Sequence, residues 1–346
     1  MRLLSFELPT PLGRVQRLGG LVGERVLDLN LAAAWWFAKQ GDPRPQVHAD
    51  FAMPATMRGF LEAGDAAMAL ARALLGRFTG EVVWPEGLAG AQLGHDLAEL
   101  RLLAPVPEPQ SLRDFYAFEE HVKTGFAKRN ETIPAAWYEL PVYYKGNHRS
   151  IYGPSDEILW PRYTQQLDFE LELACVIGKQ GRNIPLAEAQ HYIAGYTIMN
   201  DVSARDVQRK EMSVRLGPAK GKDFATILGP CLVTPDEVGD VARLGMRVRV
   251  NGEEWSSGVA GAAYWSFAQM IAHVSMDETL YPGDVFGSGT VGRGCGLELD
   301  RWIQPGDWVT LEVDGLGVLS NRVGMPVAGS MPILGDAATL KHGSRG

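Results

Sequence analysis

The sequence predicts a β-rich α+β fold, and three observations carry that prediction. Gly (40) and Pro (21) make up 61 of the 346 residues, against a usual share of roughly 12%, which demands many turns between short elements. Hydrophobic residues make up 46%, a globular value that supports a full core and excludes global disorder. Apolar alternation recurs in short runs, while a long helical period occurs at 54–78.

Taken in order, residues 1–30 read as short strands and turns. Gly13, Gly19, Gly20 and Gly23 punctuate them, and Val26-Leu27-Asp28-Leu29 closes the segment. Across 54–78, Phe60, Ala67, Leu70, Ala71, Leu74 and Phe78 fall near helical spacing, with Pro54 expected in the first turn. Arg101 to Gln110 reads RLLAPVPEPQ, a stiff connector. It divides a small N-terminal domain, 1–104, from a larger β-rich one, 105–329. In the larger part, Leu167–Val176 alternates cleanly, and Tyr192–Met199, Met246–Val250 and Asp307–Val313 are further strands. The Pro-Gly-Asp turns after Tyr281 and Gln304 are ordinary turn chemistry ahead of strands. Residues 330–346 carry no core signal and read as a loosely held tail.

Lys plus Arg is 33 and Asp plus Glu is 41, a net charge of −8. That balance argues against a nucleic-acid partner, which needs a basic footprint. The longest apolar run, Leu31–Ala38, is far below the ~18 residues of a membrane span. Glu7 interrupts the opening apolar stretch before a signal sequence can form. Cys175, Cys231 and Cys295 are odd in number and far apart, so no disulfide framework is expected. The expectation is a soluble protein of the reducing cytoplasm.

The chemistry of the chain is acidic. In Leu167-Asp-Phe-Glu-Leu-Glu-Leu, the residues Leu167, Phe169, Leu171 and Leu173 share one strand face, and Glu170 and Glu172 share the other. The two carboxylates lie about 6.5–7 Å apart along the backbone. Like charges so placed repel and are costly to bury, and a cation between them removes both problems. By itself the pair is better explained as the solvated acidic face of an edge strand. Asp201 ends an apolar strand and is well placed to enter a site. Asp114 follows the proline connector. If 114–121 is helical, Asp114 and His121 lie two turns apart on one face. An all-carboxylate set selects a hard cation, Mg²⁺, or else Mn²⁺ or Ca²⁺. Four acids against one divalent ion leave −2, and Lys222 brings that to −1. Arg129 and Lys145, with Tyr144, lie in a Gly/Asn/Pro-punctuated stretch, 123–150, that can close over an anionic substrate. Gly287-Ser-Gly-Thr290 offers backbone N–H groups and hydroxyls for a carboxylate, although a plain turn explains it better.

Six ordered motifs together resemble the fumarylacetoacetate hydrolase family. They are Asp114-Phe-Tyr with His121 five residues on, D-F-E-L-E-L (168–173), M-N-D-V-S-A-R-D-V-Q (199–208), G-K-D-F (221–224), P-G-D-V-F-G-S-G-T (282–290) and G-L-G-V-L-S-N-R-V-G (315–324). The match runs from about Arg101 to Gly324. The resemblance implies a mixed β-sandwich roll with a small β-rich N-terminal domain, and a homodimer. It implies Asp114, Glu170, Glu172 and Asp201 as metal ligands, with Lys222 and Thr226 beside them. It implies His121 as general base for water, Glu298 as the acid orienting it, and Lys222 as a catalytic cation. Tyr116, Tyr144, Arg205, Gln208 and Thr290 match positions around the substrate.

The sequence departs from the family pattern where the substrate tail would lie. Residues 140–149 read LPVYYKGNHR, closer to the smaller acylpyruvase-like members. The basic residue after His121 appears as Arg129, offset by one, and Met212 stands near the position of an expected tyrosine. Arg129 and Lys145 are expected to recognise the substrate's charge. The function so implied is metal-dependent hydrolysis of a C–C bond in a 1,3-diketo acid, resembling fumarylacetoacetate, an acylpyruvate or fumarylpyruvate, in aromatic breakdown. Two alternatives stand beside it. One is decarboxylation or tautomerisation of oxaloacetate-like acids, or isomerisation and hydration of dienoic acids, on the same metal site. The other is a catalytically silent metal-dependent binding protein.

Overall fold

The computed structural model describes residues 1–326, so the tail expected at 330–346 lies outside the described residues. A twelve-stranded mixed sheet and a four-stranded sheet dominate the architecture. From one edge the large sheet runs Gly94–Asp96, Arg25–Asp28, Gly13–Val22, Arg2–Thr10, Thr226–Val233, Ile193–Asp201, Leu171–Ile177, Val285–Gly287, Leu112–Phe115 and Tyr143–Gly146. Arg101–Leu102 pairs with Arg2–Thr10, and Ile151–Tyr152 with Thr226–Val233. Neighbours along this path are antiparallel, except that Val285–Gly287 runs parallel to Leu112–Phe115. The N-terminal strand enters the sheet through Leu3 opposite Leu232. The four-stranded sheet is ordered Glu253–Val259, Gly245–Val250, Trp308–Val313, Gly317–Arg322.

Leu171–Ile177 and Ile193–Asp201 are buried along their whole length, as strands covered on both faces must be. Side chains alternate between the two covers. Leu171, Leu173, Cys175 and Ile177 share a core with Met246, Val248, Leu311 and Leu319 of the small sheet. Ala174 and Val176 share the other with Phe60, Ala71 and Leu74 of helix Met57–Phe78. The large sheet is therefore a middle layer.

Several expectations are corrected in detail. The helix starts at Met57, not at Pro54, because the Thr56 side chain accepts from Gly59 N at 3.2 Å and caps it. Gly64 (φ 69°, ψ −148°) breaks it, a conformation that glycine adopts without a Cβ penalty. The run 167–176 is interrupted: Leu167–Asp168 pairs with Ser203–Ala204, and Glu170 makes only an isolated bridge to Cys295 before Leu171–Ile177 begins. Asp114 and His121 do not share a helix. Asp114 lies on strand Leu112–Phe115 and His121 on helix Glu119–Ala127. Among the described residues no helix is long and apolar enough to cross a membrane. The three cysteines are free and buried.

Candidate metal centre

Four carboxylates converge at one end of the middle layer. Asp114 comes from Leu112–Phe115, Glu172 from Leu171–Ile177, Asp201 from the end of Ile193–Asp201, and Glu170 from the interruption before Leu171. Register brings them together, because Gly287 faces both Asp114 and Ala174, while Leu171 faces Asn200. Each offers an oxygen, and these oxygens all lie within 4.8 Å of one another. Asp114 and Glu170 are 4% exposed, and Glu172 and Asp201 0%. Gly287 leaves room for the cluster, since a Cβ there would meet Asp114 Oδ1 at 2.5 Å.

Cations and donors hold part of this charge. Lys222 Nζ donates to Glu170 Oε2 at 2.6 Å and to Asp201 Oδ2 at 2.5 Å. Arg205 Nη2 donates to Glu170 Oε1 at 2.7 Å, its Nε to Asp168 Oδ2 at 2.8 Å, and its Nη1 to Gln208 Oε1 at 2.9 Å. Tyr144 Oη donates to Asp201 Oδ2 at 2.8 Å. The Gly287–Thr290 turn does hold a carboxylate, and it is the protein's own. Gly289 N donates to Glu172 Oε2 at 3.0 Å and Thr290 Oγ1 to Glu172 Oε1 at 3.4 Å. Gly289 has φ 81°, and a Cβ there would meet Phe115 O at 2.6 Å, so glycine is required for this approach.

The charge is not balanced. Burial, then repulsion from its acidic neighbours, pushes Asp114 and Glu172 well above the usual carboxylate range. Burial also raises Asp201, against the pull of Lys222. At Glu170 burial opposes ionisation, but Lys222 and Arg205 outweigh it and hold the carboxyl below that range. Asp114 Oδ1 and Asp201 Oδ1 are buried without any hydrogen-bond partner. Four carboxylates face the single charge of Lys222, with Arg205 shared with Asp168. An all-oxygen donor set, negative in sum and with unpartnered oxygens, fits a hard divalent cation.

A second group stands beside it. His121 Nδ1 lies 2.8 Å from Glu298 Oε2, and both side chains are buried. Tyr116, its hydroxyl raised by burial, sets its ring edge-on to His121 with centroids 5.3 Å apart. Thr226 faces Asp201 across the sheet. Two expected contributors are not brought to the cluster. Arg129 is 49% exposed, pairs with Glu131 at 3.0 Å and lies over Phe126. Lys145 is exposed and, by strand alternation, points to the face opposite Tyr144.

Two residues escaped the sequence reading. Asp168, fully buried, accepts from Arg205 and from the backbone N–H groups of Gly296 and Leu297 at 2.8 and 3.0 Å, anchoring the short helix that carries Glu298. Its signal was its place two residues before Glu170. Cys295 Sγ lies 3.5 Å from Glu298 Oε2, and its signal was the one-turn spacing to Glu298.

Residues 110–324 match the family profile described as fumarylacetoacetate (FAA) hydrolase C-terminal. The chain belongs to the fumarylacetoacetate hydrolase family. The human protein named "Oxaloacetate tautomerase FAHD2A, mitochondrial" is 34% identical over 326 residues, covering 93% of this chain and 91% of its own. Among solved structures, a 5-carboxymethyl-2-hydroxymuconate delta-isomerase from Mycobacterium smegmatis is 26% identical, with a TM-score of 0.61 over 94% of this chain and 99% of its own. A maleylpyruvate hydrolase from Sphingobium sp. SYK-6, in complex with manganese(II) and pyruvate, shares the fold at 22% identity, with a TM-score of 0.64 over 94% of this chain and 99% of its own. The mixed sheet-rich α+β architecture is thus that of the family.

Proposed function

We propose that this chain is a divalent-cation-dependent tautomerase of oxaloacetate-like 2-oxo acids, interconverting their keto and enol forms. The observation that carries the reading is the buried four-carboxylate cluster with unpartnered oxygens on Asp114 and Asp201. The activity named for the human relative supports it over hydrolysis. Asp114, Glu170, Glu172 and Asp201 would hold Mg²⁺ or Mn²⁺, which when bound supplies Lewis-acid polarisation of a carbonyl and takes up enolate charge. Lys222 favours the ionised forms of Glu170 and Asp201 and aims them inward. Tyr144 fixes the second Asp201 oxygen, leaving Oδ1 free. With Nδ1 against Glu298, His121 keeps Nε2 for proton transfer. In tautomerisation one proton leaves the carbon beside the ketone and one joins the ketone oxygen, so no water is consumed.

The test follows enol-oxaloacetate by its near-ultraviolet absorbance, with Mg²⁺ and after chelation. The reading expects faster ketonisation with Mg²⁺, loss of that acceleration on chelation, and no CO₂. Equal rates in both conditions overturn it, and CO₂ release reassigns the site to decarboxylation. Hydrolysis of a 1,3-diketo acid is the second reading, favoured by the 2.8 Å His121–Glu298 pair, which suits activation of water. Acetylpyruvate then takes up one water and yields acetate and pyruvate. A silent binding protein gives neither reaction. The proposal retains the homodimer that the family resemblance implies, and a monomeric mass in sedimentation removes it.

A further inference from the structure

His121, Cys295 and Glu298 offer three different ligand types within 4.8 Å of one another. His121 Nδ1 and Glu298 Oε2 are 2.8 Å apart, Cys295 Sγ and Glu298 Oε2 3.5 Å, and Cys295 Sγ and His121 Nδ1 4.0 Å. Zinc bonds of about 2.0–2.2 Å to N or O and about 2.3 Å to S, at the tetrahedral angle, separate the ligand atoms by roughly 3.3–3.6 Å. Shifts of about half an ångström reach that arrangement. A further observation points to a cation here. Glu298 Oε1 is buried with no hydrogen-bond partner, and its side chain is 2% exposed. The platform is braced: Asp168 holds Gly296 N and Leu297 N, which fixes the turn carrying Glu298 next to Cys295.

We propose that His121 Nδ1, Cys295 Sγ and Glu298 Oε2 form a second, thiophilic metal site that takes Zn²⁺ or a similar borderline cation beside the carboxylate cluster. The donors differ in kind from the neighbouring all-oxygen set, so the two sites select different ions. On binding, the Cys295 thiol releases its proton to water and a sulfur–metal bond forms. His121 binds as neutral imidazole with its proton on Nε2. Two ligand charges, thiolate and carboxylate, then face the divalent ion, and the fourth position stays open. An ion there takes His121 out of proton transfer, so the site is inhibitory. The metal site itself does not rest on which reaction the enzyme performs, and its inhibitory effect rests on the proton transfer proposed for His121.

Co²⁺ serves as the probe, added to the full chain already saturated with Mg²⁺. The expected result is a thiolate-to-cobalt charge-transfer band in the near ultraviolet that saturates at about one equivalent. The other thiols are elsewhere: Cys175 lies in the sheet core, and Cys231 rests on Leu316 O at 3.8 Å. Cys295→Ser should abolish the band while its far-ultraviolet circular dichroism stays native, and Asp201→Asn should retain it. If Cys295→Ser does not fold, His121→Asn gives the decision through a Co²⁺ affinity at least about tenfold weaker. No band in the unsubstituted protein, an unchanged band in folded Cys295→Ser, or an unchanged affinity in His121→Asn overturns the site.

Discussion

Two buried acidic sites in this molecule, a single aspartate and a cluster of four carboxylates, solve the same problem in opposite ways. In the N-terminal part, Asp28 is fully buried, and its two oxygens accept from Arg17 at 2.6 and 2.8 Å and from Leu31 N at 3.0 Å. Asn30 beside it accepts from Arg17 and Gln46 and donates to Asp50 and Met53 O. At the candidate metal centre, four acids share Lys222 and part of Arg205, and Asp114 Oδ1 and Asp201 Oδ1 have no partner. Buried polar groups are nearly always paired. A fold that closes its charge so completely around Asp28 leaves the second site open, which fits completion by a divalent cation.

The largest expected effect is on that open cluster. Glu172→Gln or Glu170→Gln should lower metal-dependent turnover by at least about a hundredfold, since the polarisation lost amounts to several kcal/mol. The fold should survive in Glu172→Gln, because removing that charge relieves repulsion, whereas Glu170→Gln also gives up its buried ion pairs with Lys222 and Arg205 and should be the less stable of the two. Initial rates with circular dichroism check both halves, and normal turnover in either variant takes that residue out of the ligand set.

His121→Ala should keep Mn²⁺ affinity yet lose any hydrolysis of acetylpyruvate by at least about a hundredfold, a typical general-base loss. Glu298→Gln should lose a similar amount, and the double variant little more, because the pair acts as one unit. Losses that multiply across the cycle would separate the two residues.

The closed site should fail in the other currency, stability. Arg17→Ala strands Asp28 in the core and should cost about 3–5 kcal/mol in denaturant unfolding. Turnover per folded molecule should hold, and a fall in turnover without a fall in stability would break the contrast.

The pH dependence sharpens it further. Asp114 and Glu172 are raised by burial and mutual repulsion in the metal-free protein. Between the ordinary carboxylate value and the raised one, the metal-free folded state binds more protons than the unfolded chain. Its stability therefore falls as pH rises through that window. A bound cation needs the ionised forms, so the Tm gain from Mn²⁺ should widen as pH rises and close as pH falls. Calorimetric scans with and without Mn²⁺ measure the gap, and a gap constant with pH contradicts the account. The smallest effect belongs to the exposed Arg72–Asp236 pair at 2.6 Å. Arg72→Ala should cost no more than about 1 kcal/mol in the same scans.

What the sequence disclosed follows physical lines. Glu170 and Glu172 were legible because strand periodicity puts alternate residues on one face, and Asp201 because it terminates an apolar run. The helical spacing that would join Asp114 to His121 does not occur. The residues touch the same region through a strand and a separate helix, and no local spacing encodes that. The surroundings of Arg129 and Lys145 were not legible because a long basic side chain takes its partner from tertiary structure: Arg129 finds Glu131 and Phe126 while its charge acts on Tyr116, and Lys145 takes the strand face opposite Tyr144. Asp168 is silent in the sequence because its partners, Arg205 and Gly296, meet it only in the fold, whereas Cys295 stands one turn from its partner Glu298 and gains meaning only once His121 is beside them. The long helix was visible by its period, whereas its break at Gly64 depends on backbone conformation alone.

The contrast between an open and a closed acidic site is tested most directly by Mn²⁺ titration calorimetry on three proteins side by side. The unsubstituted chain and Arg17→Ala should each bind an ion at the carboxylate cluster with the same affinity. Asp201→Asn, stripped of the charge behind its unpartnered oxygen, should lose that binding. Unchanged Mn²⁺ affinity in Asp201→Asn would contradict the assignment of the open cluster as the metal centre.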